Sequence, residues 1–401
     1  MVDGNSRVTD NLVAKNSRVR DLVAGYSRVT DDLVDRDFHF LQLENVTGGP
    51  SHLTDDLLGK IFDHLCGRGP LSLRHLLFVS RRFYSVTVNN AHLWTTICLD
   101  SHFFHHFNQR PEQGNRFVEH CIHRSGPLPL CLYMAFSGLN SRDLTFLLHP
   151  LETFGKPEWR GFQRCTSLIW DHRGHGAATI KKLVNVLPKS LPSLEYISLS
   201  YFGYPFVGSQ FPDCPVLERV EMFDNQSTTP HFWGTNFLHV TTLCFGIGNS
   251  WANCDFTIFS LFPVLHDLTL FTRDSLHFGL PIGPRTPIIF EHLHILRVHG
   301  IIPSEVLTGF VTPTLKELHL KANDNGYTPI KELLSSFNPP CQHIHALLPE
   351  TVSAREPDWA TDLSKLVHKC TRTKSLYISK WMEKEYKMPW SGYGVVVLHV
   401  Q

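Results

Sequence analysis

The sequence predicts an α/β protein with two parts: a small N-terminal module of three helices, and a long irregular solenoid whose strands form a curved parallel sheet. Two observations predict this fold class. Apolar residues recur every four positions between Leu53 and Leu65, which is typical of one face of a helix. Further along the chain, an apolar triplet recurs at intervals of 22 to 28 residues. That interval fits one strand and one return segment per turn.

The predicted helical module covers residues 52–100. Leu53, Leu57, Ile61 and Leu65 form the helical stripe, and Leu58 and Phe62 extend it to a second side. Thr54 is a suitable N-cap for this helix. Two further short helices are predicted from the apolar residues that follow. The module holds more apolar residues than about fifty residues can bury, so it is expected to need a partner.

Three short segments of this module carry a recognisable order of residues. They read Leu-Thr-Asp-Asp-Leu at 53–57, Val-Ser-Arg-Arg-Phe at 79–83 and Ala-His-Leu-Trp at 91–94. In this order they resemble the F-box, the adaptor-binding motif of Skp/Cullin/F-box ubiquitin ligases, and the final Leu-Trp followed by Ile97 resembles fungal F-box-like proteins. The chain departs from the usual pattern at Thr54, Ser80, Phe83 and Ala91, where Pro, Cys, Trp and Pro are usual.

The resemblance implies that the module docks on the Skp adaptor, and through it on a cullin. The docking residues that it implies are Leu53, Leu57, Ile61, Leu65, Leu76, Val79, Phe83 and Trp94. The alternative is that the same helices only cap the domain that follows, as the terminal units of repeat folds do.

Residues 101–401 are predicted to form the solenoid. The middle residues of its clearest apolar triplets are Ile197, Val220, Leu243, Leu268, Leu296 and Leu318. This pattern resembles the strand of a leucine-rich repeat, with return helices such as the one predicted at 304–310. The asparagine that usually follows the triplet is missing, so the repeats are expected to be irregular.

Loops that follow these strands are the predicted surface for a protein substrate. They contain aromatic and charged residues of the types that anchor protein interfaces. The candidate substrate-binding residues are Tyr204, Asn225, Trp251, Arg273 and Asp324.

Composition excludes several classes of partner. The 37 basic residues balance the 37 acidic ones, so bulk charge favours neither nucleic acid nor an anionic membrane. Ten scattered cysteines without a paired motif, and the lack of a long apolar run, predict a soluble intracellular protein of the cytoplasm or nucleus.

Residues 1–36 hold a threefold near-repeat, predicted to be disordered or a short helix that pairs chains, and 37–51 are predicted to be a linker.

The sequence predicts no catalytic site and no cofactor. Its densest histidine clusters, at 102–106 and 172–175, lack the carboxylate or cysteine spacing of a metal site, and a metal-dependent hydrolase would require bound metal there. The expected function is therefore that of a non-enzymatic substrate receptor of a Skp/Cullin/F-box ligase. The alternative is a non-degradative protein-interaction scaffold.

Overall fold

The computed structural model describes most of the chain from residue 54 onward. The described residues are 54–65, 71, 73, 77, 79–108, 110–135, 141–171, 185–200, 212–224, 237–247, 256–272, 286–300, 302, 304–321, 340–347, 359–370, 372–379, 382 and 396–400. The near-repeats predicted at 1–36 and the linker predicted at 37–51 lie outside them. The chain forms two compact units, the first comprising Met1–Cys98 with Phe117–Pro129, and the second Leu99–Arg116 with Leu130–Gln401.

The first unit is helical in its described part. It contains helix α1 (Asp55–Leu65), helix α2 (Arg81–Asn89) and a 3₁₀ turn at Ala91–Trp94. A strand, β1 (Thr96–Leu99), follows this turn. The N-terminal helices of the prediction are therefore present, although most of the predicted middle helix, around residues 71–79, lies outside the described residues.

The described part of the second unit contains both helices and strands. The helices among its described residues are α3 (Ser101–Phe107), α4 (Pro111–Arg124), α5 (Ser141–Gly155), α6 (Ser304–Thr308) and α7 (Trp359–Lys369). Of these, α4 begins in the second unit and ends in the first. The helix at Ser304–Thr308 matches the predicted return helix at 304–310. In the part of the chain that the structure describes, no helix has the length and apolar character needed to cross a membrane.

Eleven parallel strands of the second unit form one sheet, and each lies beside the next one of the set in chain order. They are β2 (Leu130–Ala135), β3 (Cys165–Asp171), β4 (Tyr196–Ser200), β5 (Arg219–Asp224), β6 (Thr242–Ile247), β7 (Asp267–Thr272), β9 (Ile295–His299), β11 (Glu317–Lys321), β12 (His343–Leu347), β13 (Ser375–Ser379) and β14 (Val396–Val400). Successive strands are joined by turns of about 26 residues, so the sheet is a parallel β-solenoid. The prediction of a parallel solenoid sheet is confirmed.

The predicted apolar triplets set the register of this sheet. Their middle residues pair directly across neighbouring strands, and all of them are buried: Ile197, Val220, Leu243, Leu268, Leu296 and Leu318. Because side chains alternate between the two faces of a strand, this row places every second residue in the core. The intervening residues lie on the opposite face, here called the polar face.

A cluster of phenylalanines fills the core opposite the sheet. Phe259 lies in a 3₁₀ segment (Phe256–Leu261) and packs against Phe245 of β6, with 5.3 Å between ring centroids. Its ring also contacts Phe290 and Phe310, at 5.9 Å and 5.4 Å. These residues flank a second, two-stranded parallel pair, β8 (Ile288–Ile289) with β10 (Phe310–Val311). The return segments therefore pack on the strand core through aromatic rings.

Candidate functional site

Helix α1 divides its apolar residues between the core and the surface. The Thr54 hydroxyl accepts a hydrogen bond from the Leu57 amide at 3.4 Å and so caps the helix, as predicted. Leu58 and Phe62 are buried, with 2% and 1% of their surface exposed. Leu57 and Ile61 are 46% and 41% exposed. Leu57 and Ile61 are four residues apart, so they form one ridge on the solvent side of the helix.

Contacts between α1 and α2 fix the orientation of this ridge. The ring of Phe62 meets that of Phe83 edge to face, with 5.0 Å between centroids. Arg82 pairs with Asp55 through Nη2 and Oδ1 at 2.9 Å. Ser80 caps α2 by accepting a hydrogen bond from the Phe83 amide at 3.1 Å. Phe62 lies on the side of α1 that meets α2, and Leu57 and Ile61 lie about 100° around the helix from Leu58 and Phe62, where they stay exposed.

Trp94 belongs to the core of the first unit. Only 4% of its surface is exposed, and its indole Nε1 donates a hydrogen bond to the carbonyl oxygen of Thr87 at 2.9 Å. The guanidinium of Arg124 lies 5.1 Å from the centroid of the indole ring, a cation–π distance. Trp94 therefore joins the 3₁₀ turn to α2 and α4, and its ring is not a surface group of this chain.

The predicted adaptor-binding residues fall into three groups. Leu57, Ile61 and Val79 are exposed; Phe83 is half-buried and Trp94 buried. Leu53, Leu76 and the side chain of Leu65 lie outside the described residues. Sequence reasoning missed Tyr84, whose ring is also exposed, although the Arg-Arg-Phe-Tyr run that begins α2 offered it as a candidate. Leu57, Ile61, Val79 and Tyr84 are here called the apolar surface of the first unit.

The predicted substrate-binding residues cannot be placed in the same way. All five candidates lie outside the described residues, namely Tyr204, Asn225, Trp251, Arg273 and Asp324. The structure does describe the polar face of the sheet.

The polar face carries a second candidate site on β11 and β12. Glu317 and His319 alternate on β11, and His343 and His345 lie beside them in direct register on β12. These four residues are here called the Glu–His cluster. Nε2 of His319 lies 2.9 Å from Oε2 of Glu317. The rings of His319 and His345 are stacked, with 4.0 Å between centroids and 4° between planes.

Electrostatics favour a charged carboxylate and a neutral imidazole in this cluster. The hydrogen bond from His319 lowers the pKa of Glu317, against an opposing effect of partial burial. Burial lowers the pKa of His345 to about 4, and the neighbouring His319 adds to this effect. His345 is therefore neutral near pH 7, and the cluster combines one anionic oxygen donor with imidazole nitrogens.

Among the described residues, Glu317, His319 and His345 form the group of side chains suited to hold a metal ion, with ligand atoms all within 4.8 Å of one another. Sequence reasoning looked for metal ligands within single segments and considered only 102–106 and 172–175. A signal was present: Glu-Leu-His at 317–319 and His-Ile-His at 343–345 place ligand residues at the outward positions of two successive strands. Of the earlier clusters, 102–106 lies on α3, and 172–175 lies outside the described residues.

No protein-family model matches the chain, and no curated protein is significantly similar to it. Function therefore has to be inferred from the apolar surface of the first unit, from the solenoid, and from the F-box-like order of residues.

Proposed function

We propose that this protein is a substrate receptor of a Skp/Cullin/F-box ubiquitin ligase. The N-terminal module docks on the Skp adaptor, and the solenoid, which resembles a divergent leucine-rich repeat, holds a protein substrate. The protein has no catalytic role of its own. It accelerates ubiquitin transfer by keeping the substrate close to the conjugating enzyme that the cullin recruits.

The observation that carries the proposal is the exposure of apolar side chains at predicted docking positions. Leu57 and Ile61 form an apolar ridge, and Val79 and Tyr84 add apolar surface at the start of α2. Apolar groups left in water at the surface are typical of interaction sites when they are held close together, as the two ridge residues are. Leu57, Ile61 and Val79 are among the positions that the F-box resemblance assigns to the adaptor interface, and Tyr84 is an addition from the structure.

Two further observations support the proposal. The first is the order of the parts: helices at the N-terminal side and then a parallel solenoid sheet, as in a receptor that separates adaptor binding from substrate binding. The second is that three of the four departures from the usual motif have a role in the fold. Thr54 and Ser80 both cap helices, and Phe83 packs on Phe62 in place of the usual tryptophan.

The experiment is co-purification of the full chain with the Skp adaptor. We compare wild type with Leu57→Asp/Ile61→Asp, which places two charges on the ridge. Burial of an unpaired charge costs several kcal/mol, so the variant is expected to lose the adaptor. Because both residues are exposed, the variant should keep the wild-type circular dichroism spectrum. The matched control is Val216→Asp/Leu238→Asp, which places two charges at exposed apolar positions of the second unit and should retain the adaptor.

Two results would contradict the proposal. If wild type captures no adaptor, the protein is better explained as a non-degradative scaffold whose N-terminal helices are a cap. If the ridge variant captures as much adaptor as wild type does, the apolar ridge is not the docking surface.

A further inference from the structure

We propose that the Glu–His cluster binds one divalent transition-metal ion, with Zn²⁺ as the first candidate, through Glu317, His319 and His345. This site lies on the solenoid and does not depend on adaptor binding. It differs from the two histidine-rich segments that the sequence suggested, because its ligands come from two strands that are 26 residues apart in the chain.

The backbone of the sheet holds the three ligand residues next to one another before any metal binds. Glu317 and His319 are two residues apart on β11, so their side chains leave the same face of the strand. His345 pairs directly with His319 on the neighbouring strand, at the spacing of adjacent strands. A site built on paired strands needs little ordering of the chain on binding, which favours affinity. The side chains of Glu317 and His319 are 36% and 23% exposed, so an ion can reach them from solvent.

The charges around the cluster suit a cation. Arg297 is the neighbour of His319 on β9 and acts electrostatically on His345, but its guanidinium Nη1 donates to the Oδ1 of Asp267, which offsets part of its positive charge. Glu317 supplies a negative charge within the site. On the other side of the cluster, the ring of Tyr377 stacks on His345 with 4.0 Å between centroids and limits access of water to that ring.

The donor set selects the class of metal. Imidazole nitrogen together with a carboxylate oxygen suits Zn²⁺ and related transition ions rather than Ca²⁺ or Mg²⁺, which prefer oxygen donors alone. Three protein ligands leave a fourth position of a tetrahedral ion for water or for a donor from a bound molecule.

His343 is adjacent to the three ligands: its Nδ1 is buried and has no hydrogen-bond partner in the described part of the chain. Coordination requires the ring of His319 to turn out of its parallel stack with His345, because the ring of His345 is also stacked on Tyr377.

The same sheet offers a matched control. His266 and His294 also stack, with 5.2 Å between ring centroids and 16° between planes. Lys316 acts electrostatically on His294, and among the described residues these two histidines form no metal-suited group with a carboxylate. This pair therefore has two imidazoles but lacks the anionic donor.

The experiment is titration of the chelator-treated full chain with Zn²⁺ by calorimetry, paired with the absorption spectrum of the Co²⁺-loaded chain. We expect one ion per chain, and a cobalt spectrum without a thiolate charge-transfer band, because the ligands are nitrogen and oxygen and not cysteine sulfur. The variants Glu317→Gln, His319→Gln and His345→Gln should each weaken Zn²⁺ binding by at least about tenfold, since loss of even an outer-shell partner costs about that much. The control His266→Gln/His294→Gln should keep the wild-type affinity.

The proposal is overturned if wild type binds no Zn²⁺ at one equivalent, if the cobalt spectrum shows thiolate ligands, or if the three variants bind as tightly as wild type. The variants lie on the polar face and replace no core residue, and circular dichroism checks that each one folds. The use of three independent variants keeps the test decisive if one of them fails to fold. Adaptor capture by the same variants is expected to be unchanged, which separates this test from that of the proposed function.

Discussion

At the scale of single residues, Trp94 shows that a motif residue can act through folding instead of surface contact. Its indole donates to Thr87, stacks under Arg124 and is almost fully buried. The F-box resemblance implies that Trp94 docks on the adaptor. The sequence by itself does not decide this, because an aromatic residue in a short segment is compatible with either a core or a surface position. Only the path of the 3₁₀ turn decides between the two, and that path depends on tertiary packing.

We predict that Trp94→Ala lowers the local stability of α2 by about 3 to 5 kcal/mol, the usual cost of truncating a large buried aromatic residue. Trp94→Phe should cost less, although the Thr87 carbonyl then loses its indole donor. Hydrogen–deuterium exchange of peptides that cover Arg81–Asn89 in the full chain measures the effect. Tyr84→Ala, at an exposed ring of the same helix, is the control and should change exchange little. Equal effects of the Trp94 and Tyr84 substitutions would contradict the assigned role.

At the scale of elements, the sequence predicted the existence of α1 and its N-cap but not the direction in which its faces point. The sequence predicts one apolar surface from Leu53 to Leu65, with Leu58 and Phe62 as its extension. In the structure the extension is the buried side, because Phe62 meets Phe83 and the Asp55–Arg82 pair holds the two helices together. A helix with apolar residues on so wide an arc has no unique buried side until its partner helix is known.

We predict that neighbouring residues of α1 differ sharply in their effect on stability. Phe62→Ala should reduce the free energy of unfolding of the N-terminal helices by about 3 to 5 kcal/mol, because it leaves a cavity in the core. Ile61→Ala should cost less than about 1 kcal/mol, since its side chain is exposed at the surface of the unit and leaves no core cavity. Urea titration followed by far-ultraviolet circular dichroism provides the measurement. A larger loss for Ile61→Ala than for Phe62→Ala would show that the helix faces are reversed.

The strands were predicted more completely than the helices. Each triplet encodes which side chains are buried, and its middle residue marks the position that pairs with the middle residue of the next triplet, so the parallel sheet followed from the sequence alone. The polar face was not predicted, because its residues carry no periodic signal of their own. Gly246 illustrates this: it lies between Phe223 and Phe271 on adjacent strands, and its lack of a side chain lets their rings meet with 4.7 Å between centroids. The Glu–His cluster was not predicted for the same reason: its residues are neighbours only because β11 pairs with β12.

At the scale of the whole molecule, the two units have different proposed tasks. The N-terminal unit offers a small apolar surface for a structured partner, and the solenoid offers a long sheet whose polar face carries the Glu–His cluster. Solenoids extend by adding turns that contact only their neighbours, so their surface can change without loss of the fold. This independence explains how irregular turns coexist with a regular sheet register.

The measurement that tests the central claim most directly is assembly of the purified full chain with the Skp adaptor and a cullin, followed by size-exclusion chromatography with light scattering. We predict a single complex with one copy of each protein, formed only when the adaptor is present, and lost in Leu57→Asp/Ile61→Asp. The claim is contradicted if the adaptor and cullin elute together while the wild-type chain, correctly folded, elutes alone.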